Sequence, residues 1–149
     1  MLKVRNFVMA AVALGLLAGC GAKSAALQNG EIKQTIEQKQ DQGTYIEVMG
    51  IGAADPALKT ATQRKASSRN AATVDAEFQM VKKLNGVTVE GGITIEKAME
   101  TDSKIKTSVN AMVKGMETTK TEWTSDDGCV VTMRLAKIVI EKQLGIKLQ

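Results

Sequence analysis

Histidine is absent from this 149-residue chain, and cysteine occurs only twice, at Cys20 and Cys129. The first absence removes the side chain most often used as a general base at neutral pH and as a metal ligand. Two cysteines also fall short of the thiolate cluster that a structural zinc site needs. Aromatic residues make up 3% of the chain. None is interleaved with the basic residues between Lys59 and Arg69, so no stacking platform for single-stranded nucleic acid is present there. That cluster reads as a solvated helix face. No apolar run reaches the roughly 20 residues needed to cross a bilayer as a helix. The formal net charge is +4, too mild to argue for nucleic acid as a partner.

What is present begins with an address. Lys3 and Arg5 precede the apolar stretch Phe7 to Leu17, which ends in the small-residue run Leu17-Ala18-Gly19-Cys20. A positive start, a short apolar core and a small-residue cleavage site mark a secretory signal. Leu-Ala-Gly-Cys in this position resembles a bacterial lipobox. That resemblance implies cleavage before Cys20, diacylglycerol on its thiol and acylation of the new amino terminus. Several acyl chains anchor a protein stably where one does not, so the expected partner is the membrane, reached through Cys20. In diderm bacteria an aspartate after the cysteine marks retention at the inner membrane, so Gly21 favours the outer membrane.

The expected organisation is a signal peptide over residues 1–19, a lipidated tether or loosely helical spacer over 20–43, and one domain over 44–149. The last is a common domain size. With the signal gone, Cys129 is the only thiol left inside the chain and has no internal partner.

Within the domain, "TYIEVMGIG" (44–52) alternates and predicts a strand with Ile46 and Val48 on one face. Asp55-Pro56 predicts the start of a long helix, and Asn85-Gly86 its end. Ala71, Val74, Phe78 and Val81 step by three, four and three, and are expected to be its buried stripe. "GVTVEGGITIEKAM" (86–99) offers a hairpin at Gly91-Gly92 or one long strand. Pairing across a two-residue turn would set Val87 against Glu96 and mix the faces. The single strand separates them cleanly and is preferred, with the glycines allowing a bend.

Ile105, Val109, Met112 and Met116 then predict a shorter helix ending near Gly115, after Thr101, Asp102 and Ser103 as candidate caps. "TTKTEWTSDDGCVVTMRL" (118–135) predicts a hairpin with the three-residue loop Asp126-Asp127-Gly128. Trp123 would then face Val131, and Cys129 would lie on that buried face. The segment after Leu135 could continue the strand or form a terminal helix. The fold class expected is α+β: an antiparallel sheet carrying one long and one short helix, in the order β-α-β-α-β-β. Several methionines would fill the core.

Motifs that would carry chemistry do not develop. Gly50-Ile51-Gly52 precedes a helix, but the third glycine of a dinucleotide loop is missing. Asp126-Asp127 reads as turn chemistry. No catalytic residue, metal ligand or cofactor is therefore assigned. Self-association is instead expected along the second strand, at Ile93 and Ile95, because a long strand offers an edge that needs a partner.

The stretches "YIEVMGIGAA", "RKASSRNAATVDAEFQMVKKLNGVTV", "VKGMETTKTEW" and "DDGCVVTMRL" together resemble the bacterial Lpp-twenty lipoprotein family over roughly residues 45–135. The chain departs from the commoner form of that family at Ser67-Ser68. The resemblance implies a non-enzymatic envelope role, in some members as part of rings around the flagellar motor, with other flagellar or envelope proteins as partners. The competing expectation is a monomeric module that binds peptidoglycan or a small envelope ligand.

Overall fold

The structure, a computed structural model, describes residues 27–28, 31–32 and 43–149. Cys20 and the signal segment lie outside the described residues. Two short strands, β1 (Leu27–Gln28) and β2 (Glu31–Ile32), form a small antiparallel ladder within the segment expected to be a loosely helical spacer. The domain itself is α+β. Its sheet is antiparallel throughout, with the order β3 (Tyr45–Gly52), β5 (Cys129–Ala136), β4 (Glu117–Trp123). Four helices accompany it among the described residues: α1 (Ala61–Asn85), α2 (Ile95–Thr101), α3 (Ser103–Lys114) and α4 (Lys137–Leu144).

β3 forms as its alternation requires, with Ile46 and Val48 buried on the face toward α1. The helix that follows begins later than Asp55-Pro56. Asp55 instead closes a turn: its Oδ1 accepts from the Ala57 N–H (2.9 Å) and its carbonyl from the Leu58 N–H (3.2 Å). The cap is Thr60, whose Oγ1 accepts from the Gln63 N–H while the Gln63 side chain accepts from the Thr60 N–H. This reciprocal capping box satisfies two otherwise orphaned donors, more than an aspartate alone supplies. Asn85 ends the helix and Gly86 caps it, as expected.

The buried stripe of α1 is Ser68, Ala72, Ala76, Met80 and Leu84. Of the expected Ala71–Val74–Phe78–Val81 series only Val81 packs partly against the core, while Val74 and Phe78 are 65% and 59% exposed. Strand geometry decides the matter. A Cβ on Gly50 would overlap the Ala72 carbonyl and the Ala76 backbone, and one on Gly52 the Ser68 carbonyl. The helix backbone thus rests directly on the strand, and only small side chains fit the helix face that makes that contact.

The long strand expected over 87–99 is not formed. Gly91 and Gly92 have φ of 104° and 77°, a reversal open to glycine, and the Val89 N–H donates to the Ile93 carbonyl across the turn. After a single bridge between Thr88 and Thr94, the Thr94 hydroxyl caps α2. The objection to a hairpin assumed pairing as far as Glu96, and the chain turns helical before reaching it. The observed order of elements in the domain is therefore strand, long helix, two shorter helices, hairpin, terminal helix.

α3 starts at Asp102, whose side chain accepts from the Lys104 N–H (2.8 Å), and ends at Gly115. In the β4–β5 hairpin, Trp123 pairs with Cys129 rather than Val131, and a bulge at Thr119 shifts the later register. The Thr124 N–H donates to the Gly128 carbonyl, so the three-residue loop is Ser125-Asp126-Asp127, one residue earlier than expected. Asp127, not Gly128, takes the left-handed conformation (φ 65°). Moving the register by two residues preserves side-chain sidedness, so Cys129, Val131, Met133 and Leu135 still face the core. After Ala136 the chain turns into α4, and Gly145 closes that helix in the left-handed region. Met80, Met112, Met116 and Met133 all contribute to the core, whereas Phe78 and Trp123 do not.

Candidate functional site

Ile93 and Ile95, expected to lie together on a strand edge, are separated by the turn into α2. Ile93 is half exposed, while Ile95 is fully buried in the core. The basic cluster between Lys59 and Arg69 meets the hairpin tip. Arg64 binds the Asp127 carboxylate through Nε (2.9 Å) and a terminal guanidinium nitrogen (2.8 Å), and also donates to the Leu58 carbonyl (3.1 Å). The Ser68 hydroxyl donates to the Asp127 carbonyl (2.7 Å), and Lys65 lies 5.6 Å from the Trp123 ring centroid. Two-point guanidinium contact is directional as well as attractive. Part of the face expected to be solvated therefore fastens the β4–β5 turn to α1. The neighbouring Asp126 carboxyl is held below its usual range by hydrogen bonds from the Thr124 hydroxyl and the Gly128 N–H.

Cys129 is buried, and burial raises its thiol pKa, with Arg69 offsetting part of the effect. It is a packing residue and not a nucleophile. A polar maleimide should label it at least about 100-fold more slowly in the folded protein than in urea. The sign of the pH effect follows. A thiol that stays protonated in the folded state contributes stability fully below the unfolded pKa of about 8.5, and that contribution is lost as pH rises above it. Urea midpoints should therefore fall between pH 8.5 and 10, and equal labelling rates in the two states would show an exposed thiol.

The open edge of β3 is already covered by α1. The Asp75 carboxylate accepts from the Ile51 N–H (2.9 Å), and the Lys83 ammonium donates to the Glu47 carbonyl (3.1 Å). Side-chain cover of this kind blocks strand addition at that edge. On the sheet face away from α1, Arg134 pairs with Glu117 (2.9 Å) and lies 4.3 Å from the Tyr45 centroid, linking all three strands.

One cleft, of roughly 730 Å³, opens between α4 and the segment near Glu90, lined by Ile138, Glu141, Lys142 and Lys147 among others. Glu141 is engaged in accepting from the Leu148 N–H (3.1 Å). The charged groups are of both signs and sit at an open mouth, an arrangement that gives no nucleophile–base pair.

The outer side of α1 is different in character. The buried series 68, 72, 76, 80, 84 and the apolar residues 71, 74 and 78 fall on opposite sides of a helix with 3.6 residues per turn, while Val81 is partly buried against the core. Ala71, Val74 and Phe78 are exposed, and the Lys82 ammonium lies 5.7 Å from the Phe78 centroid. α1 thus has two apolar faces, one on the sheet and one in solvent. Sequence periodicity found the outer face and took it for the inner one.

Comparison with known proteins gave no match to any family model, curated protein or solved structure. Among the described residues, no helix is long and apolar enough to cross a membrane, and no group of three or more His, Cys, Asp or Glu side chains is placed to hold a metal ion.

Proposed function

We propose that this chain is a non-enzymatic lipoprotein of the cell envelope that associates with further copies of itself as a structural or assembly component. The observation that carries this reading is the outer face of α1, where Val74 and Phe78 are 65% and 59% exposed on a helix already anchored by its other side. Scattered surface hydrophobics are ordinary, but an apolar stripe along one helix suits a protein partner. The lipobox-like run ending at Cys20 supplies the membrane attachment, and Gly21 favours the outer membrane. The resemblance to the Lpp-twenty family extends the proposal to the flagellar motor as the place of assembly.

Radiolabelled palmitate should enter the full-length protein and be lost in Cys20→Ala, with the variant moving from the membrane to the soluble fraction. Equal labelling of both would remove the anchor from the proposal. Cross-linking in intact cells should yield oligomers of the parent protein. A monomer that sediments with purified peptidoglycan would replace the structural role with ligand binding.

A further inference from the structure

We propose that the outer face of α1 is one half of a parallel, two-fold helix pair whose other half is α1 of a second copy. This rests on the self-association reading above and gives it a surface and an orientation. Ala71, Val74 and Phe78 are exposed and step by three and four, the heptad spacing of a helix–helix seam, and Val81, packed partly against the core, ends the exposed stretch. The sheet-facing series repeats at four throughout, so the two faces of one helix follow different rules. With Ala71 and Phe78 at the first seam position and Val74 at the fourth, Glu77 and Lys82 flank the seam on opposite sides.

Charge decides the orientation. In a parallel, in-register pair, a residue on one flank lies beside the partner residue five positions later on the other flank. Glu77 would therefore meet the partner's Lys82, and the two-fold axis makes that ion pair twice. An antiparallel pair that matches Phe78 to Val74 brings Glu77 against the partner's Glu77 and Asp75 against the partner's Asp75, which is repulsive. Within one chain Glu77 makes no ion pair among the described residues, while Lys82 rests over Phe78 at the edge of the seam.

The sheet occupies the opposite side of α1, and α2 and α3 also pack against this helix, so a second helix can approach to the usual 8–10 Å between axes along the exposed stretch from Ala71 to Phe78. A two-fold axis along the helices also sends both N-terminal segments off on the same side, as two copies held to one membrane require. The exposed seam spans only Ala71 to Phe78, about one heptad, so the pair is weak in dilute solution and depends on the tether to raise the effective concentration.

The test uses the full-length lipidated protein in membrane vesicles. Ala71→Cys should give a disulfide-linked dimer on mild oxidation, whereas Ile138→Cys, also exposed but on α4, should not. An antiparallel pair would leave the two Ala71 positions about 15 Å apart along the axis. In the Ala71→Cys background, Glu77→Lys should lower the dimer yield by about fivefold, as should Lys82→Glu, and the double exchange should restore it. Oligomers on native gels without an Ala71 cross-link would overturn the seam and leave self-association standing. Monomers in native gels and no cross-link would overturn both. Equal cross-linking at Ile138 would reduce the result to random collision and overturn the seam. Failure of the double exchange to restore the yield would overturn the parallel charge pairing.

Discussion

Replacing Gly50 or Gly52 with alanine should destabilise the domain by about 3 kcal/mol or more, the upper end of what overpacking costs. The new methyl groups would meet backbone atoms: the Ala72 carbonyl and Ala76 backbone at position 50, and the Ser68 carbonyl at position 52. A side chain in the way can rotate, but a helix backbone can only move as a whole. Moving it would pull Asp75 off the Ile51 N–H and Lys83 off the Glu47 carbonyl. It would also open the contact above Val48 and Met133, which face each other across β3 and β5. Shortening Ala76 to glycine should therefore fail to rescue Gly50→Ala. Gly86→Ala is the control, since it has an ordinary φ of −80° and only one atom, at 3.8 Å, near the added Cβ. Its urea midpoint should stay within about 0.5 kcal/mol of the parent. A Gly50→Ala protein that unfolds at the parental midpoint would show that α1 does not rest on β3 in this way.

The same contact explains which parts of the fold were legible in the sequence. β3, α3, the end of α1 and the sidedness of the β4–β5 hairpin follow from local patterns, and each is set by residues within a few positions of one another. The inner face of α1 is set from outside the helix. From Gly52 through Gly50 and Val48 to Ile46 the strand side chains grow, and on the helix the small Ser68, Ala72 and Ala76 give way to the large Met80 and Leu84. The interface is a wedge, closed at the glycines and opening toward Leu84. Hydrophobicity alone ranks Val74 and Phe78 above Ser68 and Ala72, so a moment argument turns the helix over. The signal that could have found the inner face is the pairing of a Gly-x-Gly strand end with small residues every fourth position on the next helix.

The long strand expected through Gly91-Gly92 fails for a second reason. Testing a hairpin by complete strand pairing leaves out a cap that ends the strand after one bridge. Of the candidate site residues, Cys20 lies outside the described residues, and its assignment rests on its flanks alone. Ile93 and Ile95 were placed by a strand that the chain does not make, and the outer face of α1 was visible but assigned to the core.

Ile95→Lys should cost at least about 4 kcal/mol or prevent folding, while Ile93→Lys should stay within about 0.5 kcal/mol of the parent. The two positions differ by a single residue between them, yet Ile95 is 0% exposed at the start of α2 and Ile93 is 49% exposed at the turn. A lysine at 95 would replace a side chain in the same core as Leu84, Val109 and Met112, where an ammonium loses its hydration. Burial lowers a lysine pKa, which gives the effect a signature. With the folded pKa below the unfolded value of about 10.4, the unfolded state binds more protons over that interval, so the deficit should shrink as pH rises toward 10. Far-ultraviolet circular dichroism with urea midpoints at pH 7 and pH 9.5 would measure it. Any loss of oligomers in Ile95→Lys must then be read as lost folding, because that side chain has no surface to offer a partner. Native stability of Ile95→Lys at pH 7 would show that α2 does not bury this residue and would return the 93–99 segment to the surface as a candidate edge.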